Sequence, residues 1–338
     1  MKEILPNIFT FGITLPNSPL REINLYAIKT KQRLVLFDTG YNMKECRDEL
    51  LSALDKFGVE LSDVELVLTH LHSDHTGLAS IFHDAGSKIY VGEVDGNLTN
   101  AMAEGSYWDM MLKTRDHFGL EPNEVTLEDN PGYQFRLRKP IKYITLQPGD
   151  IFEVGQYSFE VMDLIGHTPG HIGFYEPHHK FMLSGDTVLD PMTPNITYWG
   201  ADYPNILRSY ITTLYQLKDL DLKVLLATHR KVIENPSERI DEIIGHHQER
   251  LQEIVDMMEA GRAYTTREVS AGISWRIKAD NWDEFPKGQK WFAAGETLAH
   301  LDYLYHEGFL DWDEENDVFY YTKKQNNVEI PLPVVFQN

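Results

Sequence analysis

The sequence predicts an α/β layered domain over residues 1–260, followed by a small module over residues 261–338. Three observations predict it. Short apolar runs rich in β-branched and aromatic residues alternate with amphipathic helical segments through much of residues 7–259. The segment His70-Leu71-His72-Ser73-Asp74-His75 directly follows an apolar run, residues 64–69, that reads as a buried strand. Gly261 ends a long amphipathic segment, and a helix and a hairpin pattern follow it.

The elements fall in order. Asn7-Ile8-Phe9-Thr10-Phe11, Asn24-Leu25-Tyr26-Ala27-Ile28 and Arg33-Leu34-Val35-Leu36-Phe37 read as strands, the third ending in the turn Asp38-Thr39-Gly40. Residues 43–57 read as an amphipathic helix, with Cys46 as a small core residue on it. A strand over 87–92 follows the His-rich turn. Residues 96–145 fit the alternation poorly. They carry Tyr107, Trp108, Met110, Met111, Phe118 and Tyr133, and are expected to form a lid or a surface subdomain with its own small core. Strands are expected at 158–164, 180–184 and 222–227. Helices are expected at 204–218 and 237–259, the second with His247 on its apolar stripe. Beyond Gly261, residues 295–304 read as a helix and residues 309–312 and 318–321 as a hairpin with an acidic turn, a winged-helix-like order.

Composition narrows the function classes. The chain has 338 residues, 42% of them hydrophobic, and a formal charge of −21 from 52 acidic and 31 basic residues. Such a surface repels nucleic acid and anionic membranes. One cysteine excludes a disulfide framework. No window reaches the ~20 apolar residues of a membrane span, and a cytoplasmic location is expected.

Three imidazoles and a carboxylate within six residues, at the carboxyl end of a strand, point to a bound metal. Other metal-capable residues follow strand-like runs or glycine-rich turns: His167 and His171 in Gly166-His167-Thr168-Pro169-Gly170-His171, Asp186 in Ser184-Gly185-Asp186, and His229 in Thr228-His229. Together with Asp38-Thr39-Gly40, these segments resemble the metallo-β-lactamase superfamily, in the family's order over residues 38–229. The resemblance implies a four-layer αβ/βα sandwich with two divalent metal ions at one edge of two facing sheets. Zinc is the default, and iron or manganese also suits the donors. Carried over by position, it assigns His70, His72 and His167 to one metal, Asp74, His75 and His229 to the second, and Asp186 to both. Asp38 and His171 are expected to support ligands by hydrogen bonding, and Asp74 to orient a metal-bridging hydroxide or shuttle its proton.

Some residues depart from the pattern or stand beside it. Arg230 follows His229 where many relatives have glycine, and reads as an anion contact or a salt bridge to a nearby carboxylate. His246, His247 and Arg250 lie on the helix after the last ligand. Core packing is expected for His247, and substrate contact is open for the other two. Tyr198 and Trp199 read as aromatic packing or pocket lining.

The leading expectation is a dinuclear metal-dependent hydrolase of a small ester, thioester or lactone. A second reading is a metal-dependent single-strand endoribonuclease or phosphodiesterase, because the tail resembles that of a branch containing one. Residues 261–338 hold 13 acidic and 8 basic residues, which opposes a phosphate backbone. The tail is therefore expected to pack on the catalytic domain, shape its pocket or support a homodimer. A noncatalytic metal-binding protein is the third reading.

Overall fold

The computed structural model describes residues 1–332. Its first sheet has seven strands in sequence order: β1 (Lys2–Leu5), β2 (Ile8–Thr14), β3 (Glu22–Lys29), β4 (Leu34–Phe37), β5 (Val64–Val67), β6 (Ile89–Gly92) and β7 (Ile144–Leu146). The pairs from β1 to β4 are antiparallel, and those from β4 to β7 are parallel. Strands β4 and β5 are buried at every position. That is why their sequences do not alternate: both of their faces are covered, and Glu65, their one charged residue, is paired with Arg33.

The second sheet runs in the order β12-β11-β10-β9-β8. Its strands are β8 (Ile151–Val154), β9 (Tyr157–Asp163), β10 (Ile172–Glu176), β11 (Phe181–Gly185) and β12 (Val224–Ala227). The two sheets face each other across an apolar layer in which Ile8, Tyr26, Val35, Phe37 and Val67 meet Phe159, Val161, Phe174 and Leu183. Phe37 and Phe174 meet edge to face, with ring centroids 5.1 Å apart. Truncating a buried phenylalanine of this kind costs ~3–5 kcal/mol.

Helices cover both outer faces. Helices α1 (Lys44–Asp55), α2 (Ser73–Thr76) and α3 (Ala79–Ala85) lie on the first sheet's side, where Cys46, Leu50, Leu54 and Phe82 pack on Phe11, Leu25, Leu36 and Leu66. Residues 93–134 hold α4 (Glu93–Glu104), α5 (Ser106–His117) and the short α6 (Pro131–Gln134). The second sheet's outer face is covered by α7 (Ile206–Asp219) and α8 (Pro236–Met257), whose Leu207, Tyr210, Leu214, Ile240, Ile244 and Leu251 share a core with Met182 and Leu225. The four layers are those the family resemblance implied.

The tail holds α9 (Thr266–Gly272), α10 (Lys287–His306) and a three-stranded sheet of order β13-β15-β14, from β13 (Ala263–Thr265), β14 (Leu310–Glu315) and β15 (Val318–Lys323). The acidic turn has a local cause. Asn316 and Asp317 both adopt positive φ, 53° and 63°, as a two-residue hairpin turn matched to strand twist requires. The tail's core is continuous with the second sheet's outer layer: Trp291, Leu298, Leu301 and Leu304 of α10 share a cluster with residues of α7 and α8 and with Tyr107, Trp108 and Phe118 of residues 96–145.

Candidate metal centre

Strands β4, β5, β6, β9, β11 and β12 all deliver their carboxyl ends to one edge of the sandwich. The segments that follow them carry Asp38, residues 70–75, Asp95 in the first turn of α4, residues 167–171, Asp186 and His229. The structure thus gathers every sequence-predicted ligand from segments up to 159 residues apart.

His70, His72 and His167 turn one nitrogen each toward a common point. His70 Nε2 lies 3.1 Å from His72 Nδ1, which lies 2.9 Å from His167 Nε2. Hydrogen bonds on their far sides assign the ring protons. His70 Nδ1–H donates to Thr69 Oγ1 at 3.0 Å, and that hydroxyl donates onward to Asp38 Oδ2 at 2.9 Å. His167 Nδ1–H donates to the Asn195 carbonyl at 2.9 Å. Lone pairs are thereby left facing inward at His70 Nε2 and His167 Nε2, as cation ligands require.

A second group adjoins the first. His75 Nδ1–H donates to Asp38 Oδ2 at 2.9 Å, and His229 Nδ1–H to the Glu22 carbonyl at 2.8 Å, so both Nε2 atoms face inward. His229 Nε2 lies 3.3 Å from Asp74 Oδ2. Asp186 Oδ2 is 3.6 Å from His75 Nε2, 3.5 Å from His229 Nε2 and 3.6 Å from His167 Nε2, so one oxygen faces both groups. Asp74 Oδ2, His75 Nε2 and His229 Nε2 are buried without a hydrogen-bond partner. Orphaned atoms of this kind are costly, and a cation bound among them would satisfy all three. The donor set fits divalent metal.

The electrostatics agree. Burial pushes His70 far below its ordinary value, with His75 adding to it, and burial with the neighbouring His167 carries His72 to about 3. These imidazoles are neutral, as ligands must be. Burial acts to raise Asp186, but His229 and His75 outweigh it and hold the carboxyl well below the usual range. Burial likewise opposes charge on His75, yet Asp38, Asp186 and Asp74 raise it well above its usual value. The carboxylates call for positive charge at this point.

Asp186 is fixed by its surroundings. Its Oδ1 accepts from the Thr228 hydroxyl, and its backbone N–H donates to His171 Nε2 at 3.1 Å. The His171 ring stacks on His70 at 4.7 Å, so His171 touches two candidate ligands, His70 and Asp186, from outside the cluster. Gly185 has φ +51°, and a Cβ there would lie 2.5 Å from the His171 ring, so only glycine admits this approach.

Asp95 is a residue that the sequence reading missed. Fully buried, it accepts from the Leu71 N–H at 2.9 Å, the Thr168 hydroxyl at 2.6 Å and the Gly170 N–H at 2.8 Å, and so ties two ligand loops together. Burial raises its carboxyl to about 7. Its available signal was an acid just past the 87–92 strand, at the edge where the ligands gather.

The remaining candidates separate. Arg230 Nη2 donates to the Pro19 carbonyl at 2.7 Å, a backbone partner where the sequence suggested an anion or a carboxylate. His247 is buried and donates through Nδ1 to His300 Nε2 at 3.0 Å, within the helical core. His246 is partly buried on the same helix, and Arg250 pairs with Glu253 at 2.7 Å while lying over the Trp275 ring. The Trp199 ring lies beside His72, with centroids 6.1 Å apart. The loop carrying it is clamped on α10. Asn195 Nδ2 donates to Glu296 Oε2 at 2.8 Å and to the Phe292 carbonyl at 3.3 Å, and Tyr198 N–H donates to the Gly295 carbonyl at 3.0 Å. A Cβ on Gly295 would fall 2.0 Å from Thr197 Oγ1, so this contact too depends on glycine.

Residues 19–229 match the family model described as the metallo-beta-lactamase superfamily. The chain is 27% identical over 203 residues to the acyl-coenzyme A thioesterase MBLAC2 of Gallus gallus, covering 58% of this chain and 67% of that protein. It is 28% identical over 184 residues to the hydroxyacylglutathione hydrolase GloC of Haemophilus influenzae, covering 54% and 74%. Among solved structures, the metallo-beta-lactamase family protein TTHA1429 of Thermus thermophilus superposes with a TM-score of 0.81 at 26% identity, over 95% of this chain and 100% of that one. With its ligand-bearing strand ends in the family's order and more than half its length within the family model, the chain belongs to the metallo-β-lactamase superfamily and is a hydrolase of it.

Proposed function

We propose that the protein hydrolyses a small acyl thioester at a dinuclear centre. His70, His72 and His167 hold one divalent ion, Asp74, His75 and His229 hold the other, and Asp186 serves both. Zinc suits this donor set best. The observation that supports the reading most is the set of orphaned buried atoms, Asp74 Oδ2, His75 Nε2 and His229 Nε2, beside three converging imidazoles. The thioester preference draws on two relatives whose names describe removal of an acyl group from coenzyme A and from glutathione.

Bound divalent ions supply Lewis-acid polarisation of the carbonyl and acidify a water enough to attack it near neutral pH. The chain's own residues do the rest. Asp38 and the Asn195 and Glu22 carbonyls hold the Nδ1 protons of His75, His167 and His229 outward, so those rings serve as ligands and not as acids. The Asp74 carboxylate oxygen that does not face His229 takes the proton as the acyl–oxygen bond forms. It returns that proton to the departing thiolate as the acyl–sulfur bond breaks. In this reading residues 1–260 carry the chemistry and residues 261–338 complete its wall.

Thiol release from acyl-CoA and acyl-glutathione panels, with metal-loaded wild type beside Asp74→Ala, tests this. Wild type is expected to turn over, with the variant slower by ~10²–10⁴-fold, the usual worth of a general acid–base group. No turnover by protein carrying two metals overturns the thioester reading, and full activity in Asp74→Ala overturns the role of that carboxylate.

A further inference from the structure

A cavity of about 500 Å³ opens between α5, the loop over residues 198–204, the carboxyl end of α10 and the β14–β15 hairpin. Its walls include Met110, Trp199, Tyr305, Trp312, Phe319 and Tyr321. The volume falls within the ~300–1,000 Å³ of small-molecule sites. Trp199 is also the residue beside His72, so the cavity and the metal centre share a wall.

Two features identify what the cavity takes. The first is misplaced apolar surface. Few large apolar side chains are exposed among the described residues, yet Met110, Tyr305 and Trp312, exposed by 38%, 40% and 42%, all line this one cavity. Apolar surface gathered at one concave place marks a binding site. The aromatic wall is continuous: Tyr305 lies 6.3 Å from Trp312, and Trp312 meets Phe319 edge to face at 5.4 Å. The second feature is charge. Asp202, Asp302 and Glu314 line the cavity, with Lys113, His117 and His306 as its basic side chains. His306 lies 3.5 Å from Asp302, and the His117 ring is stacked on Phe319 at 4.1 Å. Three carboxylates leave this lining unsuited to phosphates.

We infer that this cavity binds the apolar acyl chain of the substrate, and that the phosphate-bearing or peptide-like thiol carrier lies elsewhere. The inference rests on the thioester reading for its substrate, but the cavity's affinity for an alkyl chain stands apart from any turnover. Residues 96–145 and the tail contribute to it together, through Met110 from the first and Tyr305, Trp312 and Phe319 from the second. Neither forms the pocket alone.

The test combines binding with turnover. Neutral n-alkanols from hexanol to dodecanol are titrated into the full-length metal-loaded protein and followed by tryptophan fluorescence. Binding is expected to strengthen about fourfold per methylene until the cavity is filled. Ala201→Trp, which places bulk at the lining, should weaken dodecanol at least tenfold. Ile151→Ala, which removes an exposed apolar side chain far from the cavity on β8, should not change it. In turnover, Ala201→Trp should lower the dodecanoyl-to-acetyl ratio of kcat/KM by about the same factor. Dodecanol binding that Ala201→Trp leaves unchanged overturns the inference, as does displacement of dodecanol by ADP, which would assign the cavity to the nucleotide end. Self-association of wild type that Ala201→Trp abolishes would assign it to a second copy of the chain, and also overturns it. Thioester turnover with no chain-length preference sinks the cavity and spares the function. Chain-length-dependent binding without turnover does the reverse.

Discussion

On one side of the candidate ligand cluster, residues 70–75 supply four inward-facing side chains from a single turn. On the other side, the wall comes from Asn195, Trp199 and α10, with Asn195 and Glu296 joined across 101 residues of sequence. The first side is local. A strand end, a turn and a four-residue helix present His70, His72, Asp74 and His75 together, and Asp38 and Asp95 brace that turn from neighbouring strand ends. The second side is assembled. The loop over residues 195–199 keeps its place because α10 offers it the Phe292 and Gly295 carbonyls and the Glu296 carboxylate. The two sides meet at His167, whose Nδ1 proton rests on the Asn195 carbonyl. A ligand of the centre is thereby oriented by the part of the chain whose fold depends on the tail. The local side can change only by losing donors, whereas the assembled side can be tuned.

The largest expected effect strikes the residue that faces both groups. Asp186→Asn removes charge from the oxygen within 3.6 Å of His75, His167 and His229. A neutral amide cannot offset two divalent ions, and activity should fall ~10³-fold or more, since groups acting as a unit are lost together. Metal content should fall from two ions to one or none. A variant that keeps two ions and near-wild-type turnover would contradict the shared role of Asp186.

Asp38→Asn should come next. Asp38 accepts from the Thr69 amide and hydroxyl and from His75 Nδ1–H, and it sits at φ +63°, a conformation asparagine tolerates well. The fold should survive, while metal affinity drops ~10–100-fold as for other outer partners of ligating histidines. Competition with a chelator measures it. The loss should be greater at the Asp74, His75 and His229 group, because His75 bonds Asp38 directly and His70 only through Thr69.

The same contrast explains what could be read from the sequence. The seven candidate ligands were legible because metal chemistry restricts residue types and strand ends restrict their place. The central strand β10 was not read, although it is buried throughout, because Ile172-Gly173-Phe174-Tyr175-Glu176 follows the His167 turn without an alternating pattern. Helices α4 and α5 were read only as part of a lid or surface subdomain, because their apolar residues face several neighbours rather than one stripe: Trp108 meets Tyr107, Tyr133 and Arg136. Asp95 and Asn195 were not singled out, because an acid or an amide acquires its role only from backbone groups that tertiary contact brings to it. For the same reason the cavity has no motif. Its walls come from four segments, and no spacing in the sequence ties them together.

Asn195→Ala tests whether the assembled side reaches the metal. It keeps the carbonyl that His167 uses and removes the amide that ties the loop to Glu296 and Phe292. Metal should leave the three-imidazole group several-fold faster, on the order of the low end of outer-partner effects, ~10-fold. The second group should be unaffected. A Co²⁺-substituted protein reports the two groups separately by its visible absorption. Equal loss from both would mean general loosening of the fold and not a path through His167.

The smallest effect is one of pH. Burial raises the Glu296 carboxyl to about 7, and Arg250 and the Asn195 amide only partly oppose that. The folded chain therefore holds a proton on Glu296 at pH values where the unfolded chain, with an ordinary value near 4.5, has released it. Because the folded state binds more protons in that window, stability must fall as pH rises from about 4.5 to about 7, and must level off above it. Glu296→Gln keeps an oxygen to accept from Asn195 and removes the titration. It should match wild type near pH 4.5 and exceed it at pH 8, with the difference growing only between those limits. Thermal unfolding of the metal-loaded pair across that range measures it. A constant difference at every pH would mean that glutamine acts by packing, and that α10 meets the Asn195 loop through a carboxylate ionised throughout.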